Sequence, residues 1–346
     1  MTKKINMDYA PVFITGAWRS GTTLISRILN NHPDFDITYD SVHYLRFAMD
    51  RYNPINNKKN VERLVLDISE RLLKRNGLRL PFDETLKSIN NNYTHCVIYD
   101  SIMKNLFLKR SQKKIWGEKT NLAWTKIPHF LEMYPQGRIL HIVRDPRAVL
   151  SSWKKFTHAP GSLYLDSILN CYDSMTKACL YKELFKDKRY ALITYEELVS
   201  DPVNTVNFIC EKFKIEFNAD MLDTSGFRDI VGNKWQSNSI HNENMDGISS
   251  SANGMWKDHL EAWEIYLTDV LIGDRMELFH YEKSKIEITR DIITTSVEEV
   301  QKSRFVSDGL ITFLLTGEGF ERYPSDPLNS NNWAISKKKS QYEISQ

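Results

Sequence analysis

The chain has 346 residues, with 46 Lys plus Arg against 44 Asp plus Glu and a formal net charge of +2. At roughly 150 residues per domain, this length allows about two domains or one large α/β domain with insertions. Apolar residues make up 41% and charged residues 26%, which excludes disordered, collagen-like and mucin-like chains, and the balanced charge argues against a protein that grips a long nucleic acid.

Pro11–Thr15 (PVFIT) reads as a short buried strand ending at Gly16, and Thr22–Leu29 follows with a helical apolar face of Leu24, Ile25, Ile28 and Leu29. Val61–Lys74, Thr94–Lys109 and Tyr164–Leu184 read as long amphipathic helices. Lys114–Trp116 is a weaker strand, Ile139–Val143 a strong one, and Pro146 starts a helix that runs to about Lys155. Arg189–Thr194 is a further strand. Strands alternating with helices predict βαβ units and a parallel sheet covered on both faces. Gly232–Gly254 is polar and aperiodic, a long loop of the kind that is usually functional. A helix is expected to resume at Trp256, with Leu260, Trp263, Leu267, Val270 and Leu271 on one face, and Asn329–Gln346 is a polar, lysine-bearing tail expected to fray.

The four cysteines, Cys96, Cys171, Cys179 and Cys210, stand far apart with no CxxC pair. That excludes a disulfide scaffold and a cysteine-rich zinc site and suits a reducing compartment. The N-terminal segment lacks the apolar stretch and cleavage site of a signal peptide, and the best apolar run, Leu310–Leu315, is too short to span a bilayer. A cytoplasmic location is expected.

The sharpest local feature is Gly16-Ala-Trp-Arg-Ser-Gly-Thr-Thr23, between a strand and a helix. Two glycines allow a tight turn, successive N–H groups point inward, and the helix N-terminus carries roughly half a positive charge. The spacing copies the Walker pattern GxxxxGK[ST], but Thr22 stands at the lysine position, which weakens an ATPase or kinase reading and leaves Arg19 to reach an anion. A second anion signature is Arg144-Asp-Pro-Arg147 at the end of Ile139–Val143, followed by Ser151, Ser152 and Trp153. The alternative is a structural Arg144–Asp145 ion pair capping the helix. Ligands of open parallel sheets collect at the carboxyl ends of strands, so two such signatures imply a ligand with phosphates in separate places.

PVFITGAWRSGTTLISRILNNHP, WGEKTN (Trp116–Asn121), FLEMYPQGRILHIVRDPRAVLSSW (Phe130–Trp153), ITYEELVSDP (Ile193–Pro202) and NGMWKDHL (Asn253–Leu260) resemble, in order, the nucleotide-binding segments of sulfotransferases over about residues 11–282. The nearest branch is that of tyrosylprotein sulfotransferases and bacterial sulfotransferases with an RSGTT turn. The resemblance implies a P-loop NTPase-like α/β fold, a parallel sheet flanked by helices with helical insertions, that takes 3′-phosphoadenylyl sulfate (PAPS) as sulfuryl donor and needs no metal. Arg19, Ser20, Gly21, Thr22 and Thr23 would hold the 5′-phosphosulfate, and Arg144 and Ser152 the 3′-phosphate. Tyr195 would lie near the adenosine, and Lys257 would close over the nucleotide.

In-line transfer to an acceptor hydroxyl needs alignment of two oxygens and neutralisation of charge on the leaving phosphate; Arg19 and Lys119 are expected in that role. The alternative for Lys119 is a salt bridge with Glu118 or another carboxylate. Asp40 stands where tyrosylprotein sulfotransferases carry a catalytic glutamate, one methylene longer. It is the expected base, with His43 and then Glu118 as alternatives, and a helix cap near Ser41 as its structural alternative. His32 is expected to complete a helix end, and Trp153, Trp256 and Trp263 to pack, with Trp256 open to stacking on adenine. Asn92-Tyr-Thr94 fits a glycosylation sequon without support from other signals.

The expected organisation is a sulfotransferase domain over 1–285, with a helical acceptor-side insertion at about 40–112, and a C-terminal extension over 286–346. The acceptor hydroxyl is left open between a sugar or other alcohol and a peptide tyrosine. The rival readings are a P-loop nucleotide kinase and a non-catalytic nucleotide-binding relative.

Overall fold

A computed structural model describes residues 10–49, 51–157, 162–228 and 248–319. Its centre is a five-stranded, all-parallel sheet in the order β2-β3-β1-β4-β5. The strands are β1 (Val12–Gly16), β2 (Phe35–Tyr39), β3 (Ile115–Lys119), β4 (Arg138–Val143) and β5 (Arg189–Thr194). Strand β1 is central and wholly buried, as its continuous apolar run requires. Strand β2, which the sequence did not reveal, is an edge strand: Phe35 and Ile37 are buried while Asp36 between them is partly exposed.

Helix α1 (Thr22–Asn30) follows the turn after β1. The segment between β2 and β3 is helical: α2 (Tyr44–Phe47), α3 (Lys58–Asn76), α4 (Phe82–Ile89), α5 (His95–Met103) and α6 (Lys109–Ser111). The single helix expected over Thr94–Lys109 is interrupted by a π-turn at Lys104–Leu108, where i→i+5 bonding widens the coil. After β3 come α7 (Ile127–Met133), α8 (Pro146–Thr157), α9 (Asp166–Leu184), α10 (Tyr195–Ser200), α11 (Pro202–Phe213), α12 (Ala262–Glu277), α13 (Arg290–Gln301) and α14 (Arg304–Thr316).

Period-two alternation divides the core between the two faces of the sheet. Val12, Ile14, Ile37, Leu140 and Ile142 pack with Ile25, Ile28 and Leu29 of α1 and with Val206 and Ile209 of α11. Phe13, Trp116 and Ile139 point the other way, into the insertion helices and α7–α9. The described part of the C-terminal extension joins this second layer, with Val300 and Val306 buried and the Phe313 ring 4.9 Å from that of Tyr172.

Trp256 does not begin a long helix. It lies in a short 3-10 turn, Met255–Asp258, and α12 starts at Ala262, where the Glu264 carboxylate accepts the Glu261 N–H at 2.8 Å and sets the first turn. Val270, expected on the inner face, is 60% exposed, because the buried stripe of α12 runs instead through Ile265, Thr268, Ile272 and Met276. Most of the loop read over 232–254, and the tail 329–346, lie outside the described residues. Among the described residues no helix is long and apolar enough to cross a membrane.

Candidate active site

All five strands deliver a site residue at or just past their carboxyl ends. After β1, a Cβ on Gly16 would stand 2.4 Å from the Ile142 carbonyl oxygen, so glycine is what lets the chain turn so close to β4. Arg19 and Gly21 take left-handed conformations, φ 66° and 89°. Gly21 caps α1 without a side-chain hydrogen bond, leaving the first-turn N–H groups of Thr22 and Thr23 to outside acceptors. Thr22, at the Walker lysine position, donates its hydroxyl to Asn121 Oδ1 at 2.8 Å and so ties the turn to the chain leaving β3. The Ser20 hydroxyl is buried with no partner among the described residues.

The two anion signatures are joined in space. Arg19 Nε donates to Ser152 Oγ at 2.8 Å across 133 residues, and Arg144 Nη1 donates to the Arg19 carbonyl at 2.9 Å. The Arg144 guanidinium lies 4.1 Å from the centre of the Tyr195 ring, and Tyr195 in turn packs on Gly21, where a Cβ would meet its Cδ2 at 2.5 Å. Arg144 Nε is buried and has no partner among the described residues. Arg19, Ser20, Gly21, Arg144, Ser152 and Tyr195, expected from three separate segments, thus form one cluster.

Asp145 pairs with Arg147, not with Arg144. Two guanidinium–carboxylate bonds of 3.0 and 2.9 Å hold them, and Arg147 also reaches Asp269 at 3.6 Å, the Glu282 carbonyl and the Trp256 ring. Arg147 is therefore the structural arginine of the segment, and Trp256 carries a guanidinium on its ring 4.1 Å from the centroid. Glu196 steadies the same corner, accepting from the Asp145 N–H and the Tyr281 hydroxyl, and burial pushes its pKa up. Lys257 stands exposed beside Trp256, its ammonium 5.7 Å from that ring and not bonded to the Arg19–Ser152–Arg144 cluster.

At the ends of β2 and β3, Lys119 Nζ meets Asp40 Oδ2 at 2.6 Å. Parallel pairing makes the contact, because Tyr39 is the direct register partner of Lys119. Lys119 is 1% exposed and Asp40 36%, so the carboxylate is the member open to solvent. Helix α2 starts at Tyr44, and Asp40, with φ 49°, does not cap it. His43 Nε2 lies 3.9 Å from Asp40 Oδ1, but the ring is 1% exposed and burial drives its pKa well below the ordinary value. Glu118 is equally buried and does not pair with Lys119: its side chain takes the opposite face of the sheet and accepts from the His43 N–H and the Tyr99 hydroxyl. His32 behaves as a structural residue, bonded to the Asp34 N–H and facing the Glu216 carbonyl. Sequence reasoning assigned no role to Asn121, Arg147 or Glu196; Asn121 closes the WGEKTN segment, which was the available signal.

A parallel sheet in this order, with a glycine-bearing turn after the central strand and arginine side chains along its carboxyl edge, defines a P-loop-like α/β fold. Residues 11–219, more than half of the chain, match the model described as the sulfotransferase family, and the chain belongs to that family. The nodulation protein NoeE of Sinorhizobium fredii is 22% identical over 160 residues, covering 45% of this chain and 35% of that protein. The omega-hydroxy-beta-dihydromenaquinone-9 sulfotransferase Stf3 of Mycobacterium tuberculosis is 23% identical over 244 residues, 56% of this chain and 59% of that one. The chain thus spans between about a third and three-fifths of the length of these curated relatives. The sulfotransferase domain of the Synechococcus PCC 7002 olefin synthase shares the fold with a TM-score of 0.51 and 19% identity over 79% of this chain and 96% of that domain. The sulfotransferase domain of the curacin biosynthetic pathway does so at 0.50 and 17%, over 80% and 99%.

Proposed function

We propose that this chain transfers the sulfuryl group of PAPS to an alcohol hydroxyl. The observation that carries the reading is the cluster Arg19–Ser152–Arg144 at the sheet's carboxyl edge, with the Asp40–Lys119 pair at the ends of the next strands. The buried Ser20 hydroxyl and Arg144 Nε, without partners among the described residues, fit a ligand rich in phosphate oxygens, because each is a donor that a protein interior rarely leaves unsatisfied. PAPS supplies a sulfuryl group on a good leaving phosphate, and adenosine 3′,5′-bisphosphate is the product.

The turn residues Ser20, Gly21, Thr22 and Thr23, with the dipole of α1, hold the 5′ end of the donor, while Arg144 and Ser152 hold the 3′-phosphate. Arg19, bonded to Ser152, links the two positions and with Lys119 offsets the negative charge that grows on the phosphate as its oxygen–sulfur bond breaks. Asp40 takes the acceptor's proton as the new sulfur–oxygen bond forms. Asp40 is favoured over His43 because a base must reach its substrate, and only the carboxylate is exposed. Lys257 closes over the adenosine side. The acceptor-side wall is the helical segment between β2 and β3. An alcohol acceptor agrees with the omega-hydroxy substrate named for Stf3.

A nucleotide kinase is disfavoured by the turn itself. A Walker lysine would reach the β/γ-phosphates, whereas Thr22 uses its hydroxyl to bind Asn121. Thermal unfolding with adenosine 3′,5′-bisphosphate, AMP, or ATP plus magnesium separates the readings. A ligand at 100 times its Kd adds about 2.7 kcal/mol of stability. A shift confined to the bisphosphate is expected; a shift confined to ATP and magnesium refutes the proposal.

A further inference from the structure

The turn that carries Asp40 does not hold its own shape. Between β2 and α2, Asp40 and His43 both adopt left-handed backbone conformations, φ 49° and 51°, which L side chains enter only when surroundings impose them. One restraint is local, between the Ser41 and Thr38 hydroxyls, and the others come from outside. The Asp40 N–H donates to the Lys119 carbonyl at 3.1 Å, Arg71 of α3 donates to the Ser41 carbonyl, and the Ser41 and Thr38 hydroxyls meet at 2.7 Å. The end of the turn is taken by Glu118. Its Oε1 accepts the His43 N–H at 2.5 Å, the Tyr44 N–H also points at the carboxylate, and its Oε2 accepts the Tyr99 hydroxyl. Tyr99 stacks on Tyr44 at 4.4 Å and 8°, and leans on Trp116 at 4.7 Å, so an aromatic wall shuts water out on that side.

Two consecutive residues of β3 therefore grip one turn from opposite faces of the sheet. Lys119 binds the Asp40 carboxylate on the α1 side, and Glu118 binds the backbone three and four residues on from the insertion side. We propose that Glu118 is a positioning residue for sulfuryl transfer: its buried carboxylate clamps the 40–44 turn and so fixes where Asp40 meets the acceptor hydroxyl. The inference rests on Asp40 being the base. Glu118 itself reaches no substrate, since its carboxylate is 1% exposed and fully engaged by the turn and α5. Because Tyr99 lies on α5, the same carboxylate also ties the base to the acceptor-side helices.

The test is a cycle of Glu118→Gln, Asp40→Asn and the double variant, read as kcat, KM for PAPS and affinity for adenosine 3′,5′-bisphosphate. Glutamine keeps the shape but offers an amide NH2 where one N–H or O–H now donates, so the turn relaxes. Displacement of a reacting group by about an ångström lowers rates by about 10²-fold. Glu118→Gln is expected to lower kcat about 10- to 100-fold, with bisphosphate affinity and KM for PAPS held within about twofold. In the Asp40→Asn background it is expected to change kcat by less than about twofold, because its effect runs through that carboxylate.

Wild-type kcat in Glu118→Gln, or an equal loss in both backgrounds, overturns the clamp. A wild-type kcat in Asp40→Asn alone shows instead that the base assignment has failed, and the clamp falls with it. Should Glu118→Gln not fold, Tyr99→Phe removes one bond and keeps the two from the backbone. It is then expected to lower kcat a few-fold, again only when Asp40 is present, and a loss independent of Asp40 overturns the proposal.

Discussion

Gly21→Ala destabilises the protein by roughly 2–4 kcal/mol and abolishes bisphosphate binding. The backbone at this position has φ +89°, where a side chain costs roughly 1–2 kcal/mol. The new Cβ would stand 2.5 Å from Tyr195 Cδ2, and pushing a packed ring aside costs roughly 1–3 kcal/mol. The lower entropy of unfolded alanine offsets about 0.4–1 kcal/mol of this sum. The ring that must move is the one beneath Arg144, 4.1 Å from its guanidinium, so the strain is transmitted to the Arg144 side of the cluster. Urea unfolding measures the stability change and calorimetry with adenosine 3′,5′-bisphosphate the binding. In a Tyr195→Ala background the crowding contribution disappears, and the stability cost of Gly21→Ala falls below about 1.5 kcal/mol. A Gly21→Ala protein within about 0.5 kcal/mol of wild type, or an equal cost in both backgrounds, refutes the argument that Gly21 is there to admit the ring.

Arg144→Ala weakens bisphosphate binding by roughly 1–3 kcal/mol, about 5- to 150-fold in Kd, and wild-type affinity by calorimetry would remove Arg144 from the site. Asp40→Asn lowers turnover about 10²- to 10⁴-fold with bisphosphate affinity retained, and single-turnover assays that show unchanged chemistry retire it as the base. His141 is fully buried between Ser174 and Tyr190, and burial pulls its pKa down to about 3. Between there and the unfolded value of about 6.5, the unfolded chain takes up a proton that the folded one refuses, so this contribution is complete above about pH 6.5 and declines as pH falls. At pH 5 it amounts to a loss of about 2 kcal/mol. His141→Gln should shrink the difference in unfolding free energy between pH 7 and pH 5 by about that amount, while His43 continues to contribute in the same direction. An unchanged difference would show that the imidazole is not held neutral.

The glycine-bearing turn after β1 and the RDP segment were legible as candidate site segments because their residue patterns are local. Glycines at 16 and 21, hydroxyls at 20, 22 and 23, and an arginine at the end of an apolar run carry their meaning within a few residues. Strands β1 and β4 were equally plain, since a strand buried along its whole length is mostly apolar, and β5, the other edge strand, was legible from its continuous apolar run Tyr190–Ile193. Strand β2 was hidden because an edge strand needs only one apolar face, and Asp34 and Asp36 mask it. The start of α12 was misplaced because glutamates, rather than a Ser, Thr, Asp or Asn, set its first turn.

Partner choice is another matter. From sequence, the ion-pair partner open to Lys119 was its own neighbour Glu118 or another, unspecified carboxylate. The pleat sends adjacent residues to opposite faces, so that pairing is geometrically closed, and the parallel register of Tyr39 with Lys119 selects Asp40, 79 residues away. The same holds for Arg19 with Ser152, Thr22 with Asn121, and Asp145 with Arg147 in place of Arg144. Residue types and their spacing determined what chemistry the chain carries and that it gathers at strand ends. Register, pleat and burial, which depend on the whole sheet and are properties of no single segment, decided which charges face each other and which of them remain open to a substrate.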